Sequence, residues 1–552
     1  EPSAAARPHL PPVPRALRAI APLMLALLLA LPVLAVLGAW LPLGQGDAQS
    51  GAILREMAAT VLPDYLWTTL WLSLAVAIGA ALVGTASAAA VTLFDFAGRR
   101  QLEWLLLLPL AMPAYVTAYA YTDFLQFSGP LQVWLREAFG LQGRLLPEVR
   151  SLGGAIWVFI FSLYPYVYLL ARTALGERAA HLMEAARLLG AAPARRLRSV
   201  ALPLARPAVA AGVALVLMET LADFGVASYF GIQTFTTGIY KAWLSMDNRL
   251  AAAQLATFLL ALVVLLLQLE LRAQRRMRFA TGGVGRAGSS EAQPTRLHGA
   301  YAVLAWLVCA LPVLMGFALP VLFMLRPLLA DWSLLPWDRF VQWAGNSVRL
   351  GAITAVLAVG IALALAFAVR RRRGPLMRAV VQLVSLGYAV PGAVIVVGLL
   401  LPVGWLQAAA PTWGLSALVT TTAVGIVWAY LVRFCAVALQ SVQSGYARVP
   451  ASLDDSARML GVGGMGLLMR VHWPLLKRST AAATLLVFVD VMKELPATIV
   501  LRPFDSDTLA VVAYQLARDE RLGEAALPSL ALVAVGLVPV ILLSRTLRGS
   551  SR

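Results

Sequence analysis

Residues 184–204 read EAARLLGAAPARRLRSVALPL, and residues 455–475 read DSARMLGVGGMGLLMRVHWPL. Laid over one another at a shift of 271, they pair Arg187 with Arg458, Leu189 with Leu460, Gly190 with Gly461, Val200 with Val471, Pro203 with Pro474 and Leu204 with Leu475, without a gap. Similarity of a chain to itself at a fixed interval marks a repeated structural unit. At a shift of 278 the upstream stretch MPAYV puts its Pro113 on Pro391 of VPGAV. The fold is therefore expected to present each of these motifs twice.

Composition decides the medium. Of 552 residues, 60% are hydrophobic and only 13% charged, and the mean hydropathy is +0.78. Soluble domains carry about 25% charged residues, so a water-soluble enzyme is excluded. Apolar runs of spanning length, roughly 20 residues each, occur at about 19–41, 66–94, 104–122, 151–171, 207–227 and 251–271. A second set follows at about 299–325, 346–369, 376–402, 413–436, 479–500 and 524–544. The prediction is an all-α, polytopic membrane protein of about twelve spans in two parallel six-helix repeats related by an axis along the membrane normal. The first half covers 1–271 with an inner loop at 176–206; the second covers 299–552 with an inner loop at 447–478. Between them 272–298 is basic, then rich in Gly and Ser, as a flexible linker is. The first apolar run also resembles a signal peptide, whose removal would not invert the later spans.

The formal charge of +18 needs a location before it needs a partner. Placing both termini in the cytoplasm puts most Lys and Arg on inner segments, including the run Arg370, Arg371, Arg372, Arg373, as the positive-inside rule requires. The charge is then topological, facing membrane lipid headgroups, and a nucleic-acid partner drops out. Cys309 and Cys435 both lie in apolar stretches and form no disulfide framework. No Walker A loop exists, because the three lysines precede Ala242, Arg478 and Glu494, whereas that loop requires Gly-Lys-Ser/Thr. No cofactor is expected in this chain.

Each inner loop reads as a short helix, a Gly break, and an amphipathic stretch ending at Leu-Pro or Trp-Pro. Gly190 and Gly461 suit a left-handed helix cap. Ala185 and Ala186 keep the helix surface low, so that another protein's backbone can approach, although a loop that only tethers two spans would read similarly. The pattern EAA, then Gly, then Pro resembles the EAA loop of binding-protein-dependent ABC importer permeases. The resemblance implies that Glu184, Ala185, Ala186 and Gly190 form a coupling helix for a cytoplasmic ATPase dimer, which would use the ATP and Mg. The second half departs from EAA, with Asp455, Ser456 and Ala457 before Gly461, and a differently tuned contact is expected there.

Ionisable residues inside spans form the second constellation. At the 271 shift, Glu219 falls on Asp490 and Asp223 on Glu494, each pair spaced i, i+4 on one helix face, and Lys493 adjoins Glu494. Facing these five groups to lipid would cost about 12–17 kcal/mol at roughly 2.5–3.5 kcal/mol each. They must meet the bundle interior, water or each other. Two readings stand: a buried ion-pair network organised by Lys493, or a translocation path in which Glu219, Asp223, Asp490 and Glu494 transiently hold a metal cation. Gly225 and Pro496, just beyond the second acids, mark places where each helix can break. Tyr115, Tyr119, Tyr121, Tyr164, Tyr166 and Tyr168 read as an interfacial aromatic belt.

Residues 218–243 (METLADFGVASYFGIQTFTTGIYKAW) and 491–530 resemble segments of fused ferric-iron-uptake permeases. That resemblance implies a bacterial inner-membrane permease receiving Fe(III) from a periplasmic ferric-ion-binding protein. Hard cations prefer oxygen donors, which both matched helices offer. Thiamine or polyamine import by the same architecture, and a proton-driven secondary transporter, are the alternatives. No nucleophile–base pair is legible, so the chain is expected to be a transport subunit and not an enzyme.

Overall fold

The computed structural model describes residues 17–40, 55–281, 294–330, 332–371 and 374–549. It is all-α apart from one two-residue strand pair. The main helices are α1 (Leu17–Gly38), α2 (Leu62–Leu93), α3 (Leu152–Leu188), α4 (Leu202–Ala222), α5 (Arg249–Thr281), α6 (Ala300–Ala330, loosened by a π-turn at Leu314–Ala318), α7 (Trp337–Arg371), α8 (Gly392–Ala409), α9 (Ala423–Tyr446), α10 (Ala451–Met459), α11 (Trp473–Lys493) and α12 (Leu522–Gly549).

The repeat is visible in the backbone itself. α3 and α9 begin 271 residues apart, as do α4 and α11. Even the five-residue π-turns that precede α4 and α11, Leu197–Ala201 and Leu468–His472, keep that interval. Each half has a core of three mutually packed helices: α2, α3 and α4 in the first, α7, α9 and α11 in the second.

The halves exchange their leading helices. α1 packs on α8 of the second half, and α6 packs on α2 of the first. Each leading helix also meets the other half at a glycine: a Cβ on Gly398 of α8 would collide with the Pro32 carbonyl of α1, and one on Gly316 of α6 with the Phe161 carbonyl of α3. The exchange is guided by the connection. Thr295 and Arg296 pair in parallel with Phe94 and Asp95, and Leu297 N donates to Asp95 O at 2.9 Å. The expected linker is thus structured at both ends, with α5 running on to Thr281; residues 282–293 lie outside the described set.

Among the described residues, nine helices are long and apolar enough to span by themselves, and a bent pair makes a tenth. Of the expected twelve, α1 is a shorter apolar helix, and α11 carries Lys477, Arg478, Asp490 and Lys493, which lower its hydropathy. The run at 104–122 is no straight span. The chain bends by 91° between Arg99–Ala111 and Ala114–Phe139, because Pro113 holds Met112 extended (φ −103°, ψ 124°). Pro391 does the same to Val390 (φ −78°, ψ 121°) in the second half. The run placed at 413–436 starts instead at Ala423: Thr422 caps it by accepting from Val424 N at 3.2 Å, and Leu415–Thr421 is a separate short helix. That correction moves Arg433 from a cytoplasmic end to mid-helix.

The inner loops differ from expectation too. In the first half α3 passes from the span into the loop as one helix of 37 residues, with no separate coupling helix. In the second, Pro450 separates α9 from α10; the matched position is Ala179, which leaves α3 unbroken.

Candidate functional site

α4 and α11 end at the two acids that the repeat aligns. Asp223 and Glu494 leave the helix in extended conformation, and short helices Gly225–Tyr229 and Pro496–Leu501 restart immediately. Restarting a helix exposes N–H donors without partners. Asp223 Oδ1 accepts from Val226 N at 2.8 Å. Glu494 Oε1 accepts from Ala497 N at 2.9 Å, and its Oε2 from Thr498 N at 3.0 Å and Thr498 Oγ1 at 2.7 Å. The second acid of each pair therefore stabilises the break that the sequence suggested.

The two breaks face a cavity of about 200 Å³ between the halves, and Glu219, Asp223, Asp490, Lys493 and Glu494 all line it. Glu494 pairs with Arg433 at 3.4 Å, whereas Lys493 Nζ donates to the Leu110 carbonyl of the first half at 3.0 Å, so the ion pair found here is made by Arg433 and not by Lys493. Glu219 and Asp490 also line the cavity, and Tyr388 Oη of the second half donates to Glu219 Oε1 at 3.0 Å. Among the described residues no three His, Cys, Asp or Glu side chains gather as a metal-binding cluster, so the four acids surround the space without forming a closed cage.

Two participants escaped the sequence reading. Arg433 sits opposite Glu494 because α9 starts ten residues later than its hydropathy suggests; Thr422 as a cap was the available signal. Tyr388 precedes the matched Pro391 by three residues and has no tyrosine counterpart in the first half. The tyrosines assigned to an aromatic belt are interior instead. Tyr115, Tyr119, Tyr121, Tyr164 and Tyr168 are buried, with hydroxyls donated to carbonyls of Leu106 (from Tyr164, 3.0 Å), Glu103 (from Tyr168, 2.7 Å) and Met315 (from Tyr121, 2.7 Å). Tyr166 lines the cavity.

At the inner loops Gly190 and Gly461 take φ of 78° and 76°. Ala191 N donates to Ala186 O at 3.0 Å and Val462 N to Ala457 O at 2.8 Å, the same Schellman closure in each half. Each cap presents two apolar side chains to solvent: Leu188 and Leu189 at 84% and 87% exposure, Met459 and Leu460 at 83% and 82%. Ala457 turns inward against Phe367 and Leu467. Asp455 pairs with Arg458 at 3.1 Å on the surface, and Ser456 Oγ donates to Ser452 O at 2.9 Å. The side chains of Glu184 and Ala185 lie outside the described set.

The inner membrane component family of binding-protein-dependent transport systems matches residues 83–278. An Fe(3+)-transport system permease of Haemophilus influenzae, FbpB 2, is 25% identical over 490 residues, covering 88% of this chain and 90% of its own length. A probable ABC transporter permease of Sinorhizobium fredii, y4fN, is 25% identical over 515 residues, 87% of each chain. The sulfate transport permease CysW of Escherichia coli is 32% identical over 177 residues, 32% of this chain and 58% of its own. Two relatives thus align along both halves, while the family match and the sulfate permease each cover a part. With the duplicated backbone and the apolar helices, they identify the chain as a multi-pass inner-membrane permease subunit of a binding-protein-dependent ABC importer, with two fused halves and a resemblance to the Fe(3+)-transport permeases.

Proposed function

We propose that this permease moves ferric iron, received from a periplasmic ferric-ion-binding protein, through the cavity between its halves to the cytoplasm. The observation that carries the proposal is the cavity lining: four carboxylates against Arg433 and Lys493, arranged around two matched helix breaks. Carboxylate oxygen suits a hard cation, and the deficit of positive charge favours one. An Fe(3+) permease that aligns over both halves supports the same cargo. Both termini and both inner loops face the cytoplasm in this reading. A separate ATPase dimer binds the exposed tips at Leu188–Leu189 and Met459–Leu460, uses ATP and Mg, and rocks the halves about the cavity. Halves 1–271 and 299–552 each contribute one loop to it.

A second reading has its own observation. Arg433 and Lys493 give the cavity a basic side, and a sulfate permease is similar over part of the chain; an oxyanion cargo follows from those two groups. Thiamine or polyamine import by the same machinery and proton-driven transport through the carboxylates are further outcomes of one test. The purified chain, with and without its ATPase, is reconstituted in vesicles and supplied with ATP and binding protein loaded in turn with ferric iron, sulfate, thiamine or polyamine. Radiolabelled iron uptake that requires ATP is expected. Uptake of sulfate alone selects the oxyanion reading, and uptake without any ATPase selects secondary transport.

A further inference from the structure

The two inner loops transmit force by different construction. In the first, α3 is an unbroken rod from the membrane to Leu188. In the second, the chain leaves α9 at Tyr446, turns, and enters α10 after Pro450. A joint of that kind bends under load unless something fixes it.

The fixing is present and buried. Arg370, at the end of α7, donates from Nε to Asp454 Oδ2 at 2.7 Å and from Nη2 to Asp454 Oδ1 at 2.9 Å, a two-point contact of fixed direction. The same guanidinium donates to the Val449 and Pro450 carbonyls, each at 3.0 Å. His472, fully buried, sets Nε2 against Asp454 Oδ1 at 3.0 Å and Nδ1 against Tyr446 Oη at 3.1 Å. Phe367, Ala457 and Leu467 close a small apolar core beside it. One carboxylate on α10 thereby joins the ends of α7 and α9 to the turn that opens α11. The first half has Leu175, Met183 and Ala201 at the positions matched to Tyr446, Asp454 and His472, so by residue type no such network forms there.

We infer that Arg370, Asp454, His472 and Tyr446 act as a lock that positions α10 on α11, so that movement imposed on the second inner loop reaches the cavity and is not lost in the joint. α11 runs from His472 to the break at Glu494 and carries Asp490 and Lys493 at its far end. With the lock closed, α10 and α11 move as one body; with it open, α10 swings alone. The residues are positioning residues, and the inference rests on the reading that the inner loops meet the ATPase.

The test uses the full chain with its ATPase in nanodiscs and two pairs of spin labels. One pair, at the exposed Leu182 and Ser452 replaced by Cys, reports the loop helices beside the tips without altering the tips themselves; the other, at the exposed Leu141 and Phe504 replaced by Cys, reports the opposite side of the bundle. ATP is expected to shift both distances in the wild-type background. In Asp454→Asn and in His472→Gln, which leaves the Arg370–Asp454 contact in place, the tips still respond and the Leu141–Phe504 shift falls at least twofold. His472→Gln answers the question if Asp454→Asn fails to fold. A full Leu141–Phe504 shift in a folded variant overturns the lock. An ATPase that never associates with the wild-type chain overturns the reading of the loops and the lock with it, and co-purification separates the two failures.

Discussion

Asp223 and Glu494 stand 271 residues apart and end their helices with nearly the same backbone, φ −71° and ψ 133° against φ −71° and ψ 124°. Each carboxylate then accepts an N–H three residues ahead, from Val226 and Ala497. A pair of interruptions in corresponding transmembrane helices is thus held open by the same chemistry, and the charges that would be costly in lipid are used where the backbone needs acceptors.

Removing Glu494 strands its partner. Its side chain is 1% exposed and that of Arg433 14%, and leaving one member of a buried pair alone costs about 3–5 kcal/mol. Glu494→Ala is expected to lower the melting temperature of the detergent-solubilised chain markedly, with Glu494→Ala/Arg433→Met recovering part of the loss. A melt unchanged by Glu494→Ala would show that the pair contributes nothing.

Neutralising the first-half acids separates passage from architecture. Asn caps a helix about as well as Asp, so Glu219→Gln/Asp223→Asn keeps the break while removing two cavity charges. ATP-dependent uptake of radiolabelled iron should fall to background while ATPase co-purification persists. Wild-type uptake in that variant would remove both carboxylates from the path.

The loop glycines are required by backbone and not by space. A Cβ on Gly190 or Gly461 meets nothing within 4 Å, so substitution carries only the left-handed penalty of about 1–2 kcal/mol. Gly190→Asn, which tolerates that region, should preserve ATPase binding; Gly190→Val should weaken it and uncouple hydrolysis from uptake. Equal coupling in the two would mean that the loop is only a tether.

Gly398 is the opposite case, a contact without room. Gly398→Val places a side chain against the Pro32 carbonyl and should loosen α1 from the second half. Cysteines introduced across the α1–α8 contact should then cross-link several-fold less efficiently than in the parent protein, with the α6–α2 contact unaffected.

Asp454 supplies a pH prediction outside the membrane. The two-point contact with Arg370, aided by His472, holds its carboxyl below the usual carboxylate value; Arg370, His472 and Tyr446 are the ionisable groups that face it. A depressed value in the folded state stabilises above the unfolded value of about 3.9, and that stabilisation disappears as the pH falls through the folded value. The difference in melting temperature between wild type and Asp454→Asn should therefore stay constant from pH 5 to 8 and shrink below pH 4. A difference that grows on acidification would contradict the assignment.

Residue order alone was enough to read the duplication, the all-helical membrane class, the left-handed caps at Gly190 and Gly461, and the alignment of Glu219 with Asp490 and of Asp223 with Glu494. These are local or periodic properties: hydropathy over a span, a glycine where φ must be positive, an acid repeated at the same interval. Packing settled which half each leading helix covers, that the interior tyrosines sit in the core, and that Arg433 and Tyr388 complete the cavity. Those outcomes depend on contacts between residues far apart in the chain and on a ten-residue displacement of α9 that hydropathy registers poorly, since the two placements share the apolar stretch 423–436. The lock around Asp454 belongs to the same group: its four residues come from four elements, and nothing in their sequence spacing brings them together.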